Sequence, residues 1–130
     1  RVAMHAEDGA AVLVVDDSRV SRMMLAALLR EQRPGLEIHE AADGAEAVAR
    51  AAELKPDLIT LDINMPVMDG FEAAERIRAL LPQTTIVLLT ANVQAASKAR
   101  AEALGVYFLA KPITEAVVRQ ALSLWEAGHG

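Results

Sequence analysis

Residues 57–72, DLITLDINMPVMDGFE, decide how the rest of the chain is read. An apolar run, Leu58-Ile59-Thr60-Leu61, ends on a single carboxylate, Asp62, and Pro66 keeps the following loop from continuing the strand. A short apolar run of this kind, bounded by turn residues, reads as a strand buried on both faces. Asp69-Gly70 marks a turn, and the helix after it uses Phe71, Ala74, Ile77 and Leu81 before Pro82 stops it. A charge at the end of a buried strand is costly unless something outside the sheet engages it.

Working outward, the same strand-then-helix unit recurs. Val12-Leu13-Val14-Val15 is a buried strand that runs into Asp16-Asp17, and Ser18 to Leu29 follows as a helix capped by Ser18. Val20, Met23, Met24, Ala27 and Leu28 fall at helical spacing and are expected to form its buried face. Leu36 to Ala41 is a short alternating strand, and Asp43 to Leu54 an Ala-rich helix. Thr85 to Thr90 is a fourth strand, and Val93 to Leu104 a helix closed by Gly105. Val106 to Ala110 is a fifth strand, and the last helix carries Val118, Ala121, Leu122 and Trp125.

Alternating strands and helices make each strand parallel to the next, and right-handed crossovers place helices on both faces. The expected fold is a doubly wound α/β domain with five strands and five helices. Residues 1–10 are expected to be a flexible tail, part of it an expression scar ahead of Met4; residues 11–126 form the domain, and 127–130 a short tail.

Composition excludes several classes. There is no Cys, hence no disulfide, thiolate metal site or Cys nucleophile. A net charge of -5 argues against nucleic-acid binding by this domain. No apolar run reaches membrane-spanning length, and a cytoplasmic location is expected. His5, His39 and His129 lie in tails or on an edge strand and are assigned no chemistry.

Ligands of such sheets bind at the carboxyl ends of the strands. Those ends carry Asp16-Asp17, Asp62, Thr90 and, one step on, Lys111. Neighbouring carboxylates repel unless a cation holds them, and an all-oxygen set suits a hard divalent ion, Mg²⁺ above all. A carboxylate beside such an ion is a nucleophile toward phosphorus, with Lys111 to neutralise the transferred group and Thr90 to offer a hydrogen bond.

The motifs VLVVDDS, LDINMPVMDG, LLTAN and LAKPIT, in that order, resemble the receiver domain of two-component response regulators, of the chemotaxis-regulator type. The resemblance spans residues 11–126 and implies a flavodoxin-like strand order of 2-1-3-4-5. It implies that Asp62 is the phosphoacceptor, that Asp17 ligates Mg²⁺ directly and Asp16 mainly through water, and that Asn64 gives its backbone carbonyl to the metal. Lys111 would contact the phosphoryl group across a cis Lys111–Pro112 bond, and Thr90 would swing toward it. Phe108 would occupy the aromatic switch position, where Tyr is frequent. Ala91 would leave an access path, flanked by Asn64 and Asn92, which are expected to tune phosphate lifetime. The implied partners are a sensor histidine kinase or histidine phosphotransfer protein and a downstream protein target. The target would read the helix from Val93 to Leu104, the fifth strand and the last helix, on a monomer or a phosphorylation-dependent dimer.

Three rivals stand beside this reading. A haloacid-dehalogenase-type phosphatase also forms an aspartyl phosphate, but LDIN places Asn64 where an acid–base Asp is needed. A flavin module of this topology needs Ser, Thr and Gly where this chain has the acidic DDSR. A receiver-like module that binds partners without phosphorylation goes with a degraded acidic site, and this one is intact in sequence.

Overall fold

A computed structural model describes residues 9–65, 67–91 and 95–129, without the side chains of 95–97 and 129. Pro66 and Asn92, with Val93 at the expected start of its helix, lie outside the described residues. In chain order the elements are β1 (Ala11–Val15), α1 (Arg19–Gln32), β2 (Glu37–Ala41), α2 (Gly44–Leu54), β3 (Leu58–Asp62), α3 (Gly70–Leu80), β4 (Thr85–Thr90), α4 (Ala95–Leu104), β5 (Tyr107–Ala110) and α5 (Glu115–His129). The strands form one parallel sheet in the order β2-β1-β3-β4-β5.

Side chains alternate across a strand, so each central strand feeds two cores. Leu13, Val15, Ile59, Leu61, Ile86 and Leu88 pack with Ala47 and Ala51 of α2, Phe71, Ala74 and Ile77 of α3, and Ala101 of α4. Val12, Val14, Leu58, Val87 and Leu89 pack with Leu25 and Leu29 of α1 and with Val118, Ala121, Leu122 and Trp125 of α5. Every residue of β3 and β4 is buried, which is why both read as mainly apolar runs, with Thr60 and Thr85 the exceptions before the terminal Asp62 and Thr90. Helices cover both faces of the sheet, and the chain is doubly wound.

Helix starts follow the side chains that precede them. Ser18, Asp43 and Asp69 each accept a hydrogen bond from the backbone N–H three residues on, satisfying a donor that the helix itself leaves unpaired. The Glu46 carboxylate reaches back to the Ala42 N–H at 2.7 Å, so α2 is held from both sides of its first turn. At its other end, α5 continues through residues 127–129, which were expected to be tail.

The first helix corrects its expected face. Of the expected face, Val20, Met23, Met24 and Ala27 are exposed and only Leu28 packs, half-buried, against the core, while Leu25, Ala26 and Leu29 are buried. The buried stripe runs Arg22-Leu25-Ala26-Leu29, at i, i+3, i+4 and i+7, and its first member is a cation. Counting apolar residues therefore favours the wrong stripe. Arg22 belongs to the inner one because its stem packs inward while its guanidinium finds polar partners.

Arg78 performs a second task that its charge hides. From α3 it donates to the carbonyls of Leu81, Pro82 and Thr84 and to that of Gly105, tying the end of α3 to the entries of β4 and β5. Burial pulls the pKa of its guanidinium below the ordinary arginine value, an effect partly countered by Tyr107.

Candidate functional site: an acidic cluster at the carboxyl edge

The carboxyl ends of β1 and β3 lie side by side because the two strands are direct neighbours in the sheet. β1 runs out at Val15, so Asp16 and Asp17 stand just beyond the edge, whereas Asp62 is itself the last residue of β3. Asp16, Asp17 and Asp62 each present a carboxylate oxygen within 4.8 Å of the others. Asp16 and Asp62 are buried and Asp17 is exposed, so the cluster opens to solvent on one side only. Three oxygen ligands in a half-open pocket fit a hard divalent cation that keeps some of its water.

Lys111 reaches the cluster from the end of β5. Its Nζ lies 3.4 Å from Asp16 Oδ2 and 3.4 Å from Asp62 Oδ1, between two of the three acids. Its own N–H donates to the Thr90 carbonyl at 2.7 Å, and the Lys111–Pro112 bond is cis. Thr90 closes β4 in a buried position, and Ala91 beside it is exposed. Asn64 is exposed, and its N–H donates to Asp62 Oδ1 at 3.3 Å. Phe108 is half-buried against the core shared by α2, α3 and α4, while Tyr107, one residue earlier, is 40% exposed.

Asp62 sits in competing fields. Burial pushes its carboxyl above the ordinary value most strongly; Lys111 pulls it down, the Asp16 charge pushes it up, and the Asn64 N–H pulls it down again. The net shift is upward. A cation in the pocket adds to the pull of Lys111 and favours the ionised, nucleophilic form.

Two features of the site are not visible in the motifs. Gly70 is required by close approach, because a Cβ there would stand 2.6 Å from the Asp62 carbonyl oxygen and 2.8 Å from Ile63 Cα. Its N–H also donates to the Ile63 carbonyl at 3.0 Å, which seats the start of α3 directly beneath the phosphoacceptor candidate. The other is Arg22, whose Nη1 donates to the Asp16 carbonyl at 2.7 Å. Beside Lys111, a groove of about 440 Å³ is lined by Ser21, Met24, Ala91, Pro112 and Ile113. The exposed Met24 of α1 thus borders the approach to the acids.

Comparison with known proteins agrees with this geometry. The family described as "Response regulator receiver domain" matches residues 12–123. The chemotaxis protein CheY of Thermotoga maritima is 38% identical over 88% of this chain and 96% of its own length. A protein-glutamate methylesterase/protein-glutamine glutaminase of Caldanaerobacter subterraneus is 46% identical over 78% of this chain, which spans only 28% of that relative. In solved structures, the CheX–CheY–BeF₃–Mg²⁺ complex of Borrelia burgdorferi contains a chain that superposes with a TM-score of 0.82 at 29% identity, over 88% of this chain and 87% of that one. The chain belongs to the response regulator receiver domain family.

Proposed function

We propose that this chain is a phosphorylation-activated switch, with Asp62 as the phosphoacceptor. The observation that carries this reading is the position of Asp62, last in a buried strand, beside both the Lys111 ammonium and the Asp16–Asp17 pair. A carboxylate oxygen of Asp62 attacks the phosphorus of a phosphohistidine on a sensor kinase or histidine phosphotransfer protein. The P–N bond breaks, the imidazole leaves with a proton, and an acyl phosphate remains on Asp62. Lys111 is placed to take charge on the transferred oxygens, and Thr90 to donate its hydroxyl to them. Asp16, Asp17, Asp62 and the Asn64 carbonyl would hold Mg²⁺, which supplies charge neutralisation for the phosphoryl oxygens when bound. Water attack on phosphorus returns the carboxylate and releases phosphate, with the exposed Ala91 leaving the path open and the exposed Asn64 beside Asp62. The chain modifies itself and turns over no separate substrate.

The added charge draws Thr90 and Lys111 inward and biases a pre-existing equilibrium in the surface formed by α4, β5 and α5, which a downstream protein reads. Phe108 responds from beneath that surface through packing alone, since it has no hydroxyl. The test is intact mass after incubation with Mg²⁺ and acetyl phosphate. A single phosphoryl adduct, lost in Asp62→Asn and on chelating Mg²⁺, is the expected result. Absence of any adduct would move the assignment to a module that binds partners without phosphorylation.

A further inference from the structure

We infer that Arg22 is the positioning residue of the acid pair, locking the β1–α1 loop in the geometry that binds a divalent cation. The inference rests on reading Asp16, Asp17 and Asp62 as the ligand cluster. Asp16 is fixed around its whole periphery: its N–H donates to the Ala41 carbonyl at 3.2 Å, and its Oδ1 accepts the Ser18 N–H at 2.9 Å. Its Oδ2 faces Lys111 Nζ at 3.4 Å, and its carbonyl accepts Arg22 Nη1 at 2.7 Å. Of these, the contact to Arg22 is the one that ties the loop to α1 through a side chain.

Arg22 is in turn aimed by Glu40 of β2, whose Oε1 accepts its Nε at 2.9 Å. The two guanidinium contacts point in different directions from one rigid plane, so strand, helix and loop are referenced to a single group. The Arg22 side chain is 15% exposed, and of its two contacts the one to the Asp16 carbonyl is partly buried while the one to Glu40 is exposed. Turning Asp16 about its carbonyl would also move Asp17, the next residue and the exposed member of the cluster, relative to Asp62.

Charge and positioning predict opposite results. Arg22 is a cation close to a cation site, so its charge alone repels the metal, and removing that charge would tighten binding. If Arg22 positions the loop, removing it weakens binding. Partners one step removed from metal ligands typically change affinity 10- to 100-fold, and the lower end, about tenfold, is expected here because the contact is to backbone.

The experiment is calorimetric titration of the chain with MgCl₂, comparing wild type, Arg22→Gln and Arg22→Lys, with thermal melts in EDTA to follow the fold separately. Arg22→Gln is expected to weaken Mg²⁺ binding about tenfold. Arg22→Lys keeps the charge, but its single ammonium lacks the guanidinium fork, and it is expected to weaken binding as well. Unchanged or tighter binding in either variant overturns the inference, and Arg22→Lys alone decides if Arg22→Gln does not fold. A wild-type chain that binds no Mg²⁺ overturns the metal reading and this inference with it. Wild-type binding matched by both variants overturns this inference only.

Discussion

α1 and α4 are both Ala-containing helices packed on the same sheet, yet they are held by different means. α1 buries Leu25, Ala26 and Leu29, is capped by Ser18 and is pinned through Arg22 to both Asp16 and Glu40. Among the described side chains of α4, Ala101 is the buried one and Leu104 is half-buried. α4 also rests on a cation–π contact, the Arg100 guanidinium 4.6 Å from the centroid of the Phe71 ring. The difference separates two jobs. The carboxylates that could hold a metal, at the ends of β1 and β3, sit on the firmly packed part of the molecule, and the described side chains of the helix proposed to respond attach it by little apolar area. A segment that opens locally at low cost is one whose buried apolar contacts are few.

The largest effect tests the firm side. Leu29→Ala removes a fully buried side chain and is expected to cost about 2–5 kcal/mol, read from chemical denaturation. Leu104→Ala, at a half-buried position, should cost clearly less. Hydrogen exchange sharpens the contrast: amides of α4 should exchange faster than those of α1. Equal protection in the two helices, or equal costs for the two leucines, would break the comparison.

Next in size is the seam between β3 and α3. The atoms nearest a methyl at Gly70 are backbone, the Asp62 carbonyl and Ile63 Cα, and backbone does not rotate aside as a side chain would. Gly70→Ala is therefore expected to cost about 1–3 kcal/mol and to shift the amide resonances of residues 62–64. A melt and a ¹H–¹⁵N spectrum indistinguishable from wild type would show that the seam has slack.

The sequence carries the sheet plainly and the site in outline. β3 and β4 are legible because strands buried on both faces are mostly apolar, with their polar residues nearly all at the ends, and their parallel pairing follows from the intervening helices. The candidate site side chains are legible because a charge or hydroxyl at a buried strand end is costly to keep unless it is engaged. Asp16, Asp17, Asp62 and Lys111 lie together at the carboxyl edge, and Thr90 is buried at the end of β4. The orientation of α1 is not legible. Periodicity counts apolar residues, and the inward stripe begins with Arg22 while the outward one holds Val20, Met23 and Met24. The close approach at Gly70 and the carbonyl clamp of Arg78 escape for a related reason. Each depends on which backbone atoms tertiary packing brings near, and no spacing rule encodes that.

Asp62 offers a smaller, pH-dependent test of the firm side. Its carboxyl is raised above the ordinary 3.8, chiefly by burial. The folded chain therefore holds this proton more tightly than the unfolded chain. Stability contributed by the protonated form is lost as pH rises from the unfolded value through the raised folded one, and the ionised form is disfavoured above it. Asp62→Asn removes that titration. In metal-free buffer at neutral pH the variant should melt higher than wild type, and the gap should close in acid below the ordinary carboxylate value. Added Mg²⁺ should raise the melting temperature of the wild type and not that of the variant. A variant that melts lower than wild type in EDTA at neutral pH would mean that the Lys111–Asp62 pair outweighs burial.

The smallest effect bears on how α4 is held. Arg100 is exposed, so its contact with Phe71 is worth about 0.5–1 kcal/mol. Phe71 follows Gly70 at the start of α3, one residue from the position that touches the Asp62 carbonyl, so this contact reaches from the acidic edge to the helix proposed to move. Arg100→Gln should leave global denaturation nearly unchanged while raising exchange in α4 relative to α1. If the contact holds α4 in its resting position, the variant should also resemble the phosphorylated chain more closely without any phosphodonor, in the chemical shifts of β5. Exchange in α4 that ignores the substitution would mean that Ala101 and Leu104 suffice to seat the helix, and the loose side of the comparison would then rest on packing alone.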